Sequence, residues 1–241
     1  METGHAKNVA NFETVIIILV GLGAVYNPTQ ALILLAALQT KLTEAKAVLD
    51  TVDTAEADKT VKVDEIQAEF EGLDKYVVNI KRTAEVEIND PAFTADLQTI
   101  VNKFASTSRK TGLPDDPLTP DIDESRTAHS TSQRSRDNQI AHLADIAALL
   151  RTKGDAYKPN DDEYKIEAIE AKIATLTTKN NAAKAAFAAL GNAQDARDLV
   201  LYHPDTGVLK LVKLIKTQLA RKPGKQSAAY QQINALEFRK Y

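Results

Sequence analysis

A six-residue pattern that occurs twice limits what this chain can fold into more than any other feature. Residues 23–28 read Gly23, Ala24, Val25, Tyr26, Asn27, Pro28, and residues 154–159 read Gly154, Asp155, Ala156, Tyr157, Lys158, Pro159. Glycine, tyrosine and proline keep the same spacing in both. Glycine accepts the left-handed backbone conformation that ends a helix, and proline stops the previous helix from continuing. Each copy therefore reads as the turn of a helical hairpin. The match extends to both sides, which predicts an all-α fold built by tandem duplication of a four-helix unit.

The rest of the chain fits helices better than sheets. Aromatic residues make up only 5% and there is no tryptophan, whereas strands favour aromatic and β-branched side chains. Cysteine is absent, which excludes disulfides, thiolate metal sites and cysteine nucleophiles. At 241 residues the chain can bury a core of its own.

In the first copy a helix is expected over residues 8–22, ending at Gly23. Its counterpart covers residues 138–153 and ends at Gly154, with Ile140, Leu143, Ile146, Leu149 and Leu150 spaced as an amphipathic stripe. The second helices carry Leu35, Leu38 and Leu42 in one copy and Ile166, Ile169 and Ile173 in the other. Third helices are expected over residues 55–84 and 194–220, the latter broken near His203-Pro204. Fourth helices start at Asp90-Pro91 and after Pro223-Gly224, giving about eight in all. The predicted domains are 1–105 and 138–241, joined by a Pro/Ser-rich linker over 106–137; a single eight-helix body is the alternative.

Charge is unevenly divided. Residues 1–104 carry a net −7 and residues 138–241 a net +5, within a chain of net −3. Attraction between the copies, inside one molecule or head to tail between molecules, is the simplest use of that asymmetry.

The copies also differ in surface chemistry. Arg151, Lys153, Glu163, Lys165 and Glu167 of the second copy align with Val20, Leu22, Leu32, Leu34 and Ala36 of the first, and Ala147 and Ala148 align with Ile16 and Ile17. The first hairpin is apolar nearly all round, so something must cover it: the second repeat or the linker of the same chain first, a second protein chain next, and lipid third. Ile16, Ile17, Val20, Leu22, Leu32, Ile33 and Leu34 are the candidate interface. Gly23, Tyr26, Pro28, Gly154, Tyr157 and Pro159 define the repeated turn.

Motifs for catalysis or cofactors are lacking. His5, His129, His142 and His203 stand in no metal-ligand spacing, and His142 with Asp145 is only an i, i+3 pair. The acidic run Asp115, Asp116, Asp121, Asp123, Glu124 lacks the glycine and spacing of an EF-hand loop. No nucleophile elbow or phosphate loop is present. No metal, cofactor or catalytic residue is expected. Lys210, Lys213 and Lys216 line one side of an amphipathic helix and read first as the solvated stripe of a bundle helix; the same pattern is usable on anionic membranes or phosphates. No nucleic-acid recognition motif accompanies it.

The expected function is non-enzymatic: a structural or interaction protein that self-assembles, or binds a protein partner, through the first hairpin. A membrane-active, pore-forming-like protein is the alternative, and a binder of small apolar ligands the third. The apolar run 15–25 is short for a membrane span and flanked by Glu2 and Glu13, so a cytoplasmic location is favoured over a cleaved signal.

Overall fold

The computed structural model describes residues 3–104 and 135–241, and every regular element among them is helical. In chain order these are α1 (Thr3–Gly21), α2 (Leu35–Phe70), α3 (Leu73–Ile88), α4 (Pro91–Phe104), α5 (Arg136–Arg151), α6 (Ile166–Tyr202), α7 (Val208–Leu219) and α8 (Ala228–Ala235). Nearly all of the predicted linker, and with it His129 and the acidic run 115–124, lies outside the described residues.

The two turns have the same local form. Gly23 and Gly154 both sit at positive φ, +53° and +50°, where a Cβ would be strained. Short 3₁₀ turns follow at Gly23–Val25 and Ala31–Ile33 in one, and at Gly154–Ala156 and Asp162–Tyr164 in the other. Tyr26 and Tyr157 are buried, and each hydroxyl donates to a backbone carbonyl seven residues on, Ile33 and Tyr164, at 2.7 Å in both cases. Burial pushes the Tyr26 hydroxyl up to about 12 and raises Tyr157 as well. Both prolines are buried beneath the turn.

The second helices are longer than the sequence reading expected. No glycine or proline interrupts residues 35–70, so α2 runs unbroken for 36 residues, about 54 Å at 1.5 Å per residue. It stops only where Gly72 takes a left-handed conformation, φ +74°. The expected break between a second and a third helix near residue 55 is absent. α6 likewise runs 37 residues and ends at Tyr202, beside the expected break near His203-Pro204. Gly72 and Gly207 each stand immediately before the next helix, α3 or α7.

Each long helix serves two cores, so the compact units are not the divisions 1–105 and 138–241. One unit comprises Met1–Val61 with Ala185–Tyr241, and the other Lys62–Lys184. In the first, Phe12, Val15, Leu19 and Leu38 from the early part of the chain pack with Leu201, Leu211, Ile215 and Ile233 from the late part. In the second, Val77, Ile80, Phe93 and Leu97 pack with Leu143, Ile146, Leu150 and Ile169. Asp90 caps α4, accepting from the backbone N–H groups of Ala92 and Phe93, and pairs with Lys153 at 2.9 Å.

Past α8 the chain is extended and lies along α1. The Asn8 side chain, itself buried, donates to the carbonyl of Arg239 at 2.6 Å and accepts from its N–H at 3.2 Å; Asn11 donates to the carbonyl of Glu237 at 2.7 Å. Buried polar groups persist only when satisfied in this way.

Candidate interaction surface

At the end of the first hairpin several large apolar side chains meet solvent, as Val61, Val86, Phe187 and Leu199 do elsewhere. Ile17 is 65% exposed, Val20 52% and Leu34 44%, and Leu32 is exposed as well. Ile17 and Val20 stand three residues apart on α1, which puts them on one face. Leu32 and Leu34 follow the turn. Between Glu13 and Lys41 the chain carries no charged residue. Charge resumes only at the borders, where Glu13 pairs with Lys46 and Lys41 with Glu44.

Three of the seven candidate interface residues are placed differently. Ile16 and Ile33 are buried in the first core, and Leu22 is half-buried against it. Ile16 faces inward because α1 presents Phe12, Val15, Ile16 and Leu19 to the core at three- and four-residue spacing. Ile33 is drawn in by the 3₁₀ turn whose carbonyl receives the Tyr26 hydroxyl. Val25, which the sequence reading passed over, is exposed on the turn. Its apolar counterpart Ala156 offers no contrast that would mark it.

The second hairpin holds the same positions differently. Arg151, Glu163 and Lys165, aligned with Val20, Leu32 and Leu34, are exposed and charged. Arg151 bonds Glu170, Lys158 bonds Asp155, and Lys165 bonds Asp162. Those partners hold Asp155 and Asp162 below the usual carboxylate range. Lys153, aligned with half-buried Leu22, lies 4.8 Å from the centre of the Phe93 ring while its amine reaches Asp90. Its amine thus sits over an aromatic ring of the second core.

The remaining candidates for chemistry are accounted for locally. Among the described residues no group of three or more His, Asp or Glu side chains could hold a metal ion. His5 is buried with its Nδ1 2.7 Å from the Tyr202 hydroxyl, and the Nδ1 of His203 accepts from the backbone N–H groups of Asp205 and Thr206. His142 is half-buried, 3.7 Å from Asp145, and its ring nitrogens have no hydrogen-bond partner. The apolar side of α7 is committed to the core through Val208, Leu211, Val212, Ile215 and Leu219. Lys216 folds back onto the carbonyls of Asn234 and Leu236 and the Phe238 ring, where burial lowers its pKa. It therefore leaves the solvated stripe predicted for Lys210, Lys213 and Lys216. A depression of about 450 Å³ beside the second turn is lined by Tyr157, Lys158, Pro159, Lys165 and Glu167. That rim is too charged to suit a small apolar ligand. Among the described residues no helix is long and apolar enough to cross a membrane.

Compared with known proteins, the chain matches no family model, no curated protein and no solved structure.

Proposed function

We propose that this chain is a non-enzymatic structural or interaction protein, derived by tandem duplication of a four-helix unit. Its binding surface is the end of the first hairpin: Ile17, Val20, Val25, Leu32 and Leu34. A second copy of the same chain is the first partner to consider. A surface without charge can face itself across a two-fold axis with no like-charge penalty.

One observation carries this reading. The same turn is built twice, and only one copy exposes large aliphatic side chains where the other exposes ion pairs. The fold evidently tolerates charge at these positions, so the aliphatic side chains serve something besides stability. Contiguous exposed apolar surface marks sites of association.

The test copies the second hairpin onto the first with Val20→Arg, Leu32→Glu and Leu34→Lys. Sedimentation should show the native chain associating as its concentration rises and the triple variant remaining monomeric with unchanged helicity. A native chain that stays monomeric to about 1 mM, far above the Kd of specific complexes, would sink the self-association reading. A membrane-active role draws on the same uncharged hairpin. Dye release from anionic vesicles by the native chain and not by the variant would favour it instead.

A further inference from the structure

We infer that the two halves of this chain, residues 3–104 and 135–241, are binding partners in their own right. The covalent link between α4 and α5 is then dispensable for the fold. The molecule behaves as two intertwined subunits joined end to end, and the partner each half fits is the complementary half, from its own chain or from a second copy.

The composition of the two cores carries this inference. Neither core can be assembled from one half. In the first unit the stripe of α1 (Phe12, Val15, Leu19) is covered by α7 and α8, which come from the second half. In the second unit α3 and α4 are covered by α5 and the start of α6. A separated half would leave two apolar faces in water, at a cost proportional to the area bared.

Polar contacts follow the same division. Glu69 of the first half pairs with Lys172 at 2.7 Å and Lys179 at 3.1 Å, both of the second, and these lysines hold its carboxyl below the usual range. Asp90 of the first half pairs with Lys153 of the second. The net −6 and +5 of the two halves thus meet within each molecule. In the other unit Asn8 and Asn11 of the first half bind the backbone of Arg239 and Glu237 of the second. Apolar faces, opposite net charge and directional hydrogen bonds all run between the halves, and together they make an interface.

The inference is independent of the apolar hairpin, and the experiment keeps the two apart by using the Val20→Arg, Leu32→Glu, Leu34→Lys background. A recognition sequence for a site-specific protease is placed between residues 105 and 134 of the full chain, and the purified folded protein is cut. The halves should elute together at the mass of the uncut chain with unchanged helicity. The midpoint of thermal unfolding should become concentration-dependent after the cut only, because unfolding now separates two molecules. Glu69→Lys should weaken the cut complex about five- to tenfold, with Lys172→Glu and Lys179→Glu together restoring it. When cut chain is mixed with cut chain bearing an affinity tag on its first half, the tagged halves should acquire untagged second halves. Halves that part in native buffer, or that keep separate concentration-independent midpoints, would overturn the inference.

Discussion

The two hairpin ends share a backbone and differ in what they show to water. Both put a left-handed glycine before a buried tyrosine whose hydroxyl closes the turn at 2.7 Å. One then displays Ile17, Val20, Leu32 and Leu34, and the other Arg151, Glu163 and Lys165. On the duplication reading proposed above, what the two hairpins share reflects the fold, and what differs reflects a partner. A chain that contains both halves can change one end alone, whereas two identical subunits would have to change both.

The sharpest challenge to that comparison is in the cores. Leu19 and Leu150 are both fully buried at aligned positions, so Leu19→Ala and Leu150→Ala should each cost about 3 kcal/mol in chemical denaturation. Costs that differ by more than about 2 kcal/mol, most of the spread seen for such changes, would break the equivalence. Asn8→Ala should cost about 2 kcal/mol, because it strands the Arg239 backbone. Gln139→Ala, at the aligned position of α5, should change little. Tyr26→Phe and Tyr157→Phe should each lose about 1 kcal/mol by leaving the carbonyl of Ile33 or Tyr164 unpaired.

Acid should separate the units. Burial lowers the His5 pKa against the opposing pull of Asp198, so the folded state prefers neutral His5, ringed by Tyr202 and Tyr241. Its contribution is complete above its ordinary value and declines as pH falls below about 6.5. Glu69 in the other unit is shifted down by its lysines, so its contribution holds above the ordinary carboxylate range and is lost only under stronger acid. Hydrogen exchange measured from pH 7.5 downward should therefore loosen α1 before α5; the reverse order would contradict this assignment. The smallest effect belongs to the surface. Val20→Arg with Leu34→Lys should shift stability by no more than about 0.5 kcal/mol while removing association.

Helix class and the repeated turn were legible because glycine, tyrosine and proline punctuate the chain where the backbone needs them. The exposed positions were legible by comparison between copies: Val20, Leu32 and Leu34 face water as Arg151, Glu163 and Lys165 do. Ile16 and Ile33 were misplaced because an all-apolar hairpin shows no contrast between its faces. The pairing of helices was not legible at all. An amphipathic stripe reveals that a face is covered, not which helix covers it, and the long run of α2 through residue 55 hid the exchange between halves.

The interleaving of the cores has a consequence for biosynthesis. Every residue of the Lys62–Lys184 unit has left the ribosome while Ala185–Tyr241 is still being translated. Helix α1, with its uncharged hairpin, must therefore wait for residues 185–241, made later, before it is buried. During that interval the nascent chain offers its most adhesive surface to whatever is nearby, a chaperone or the same segment on a neighbouring polysome.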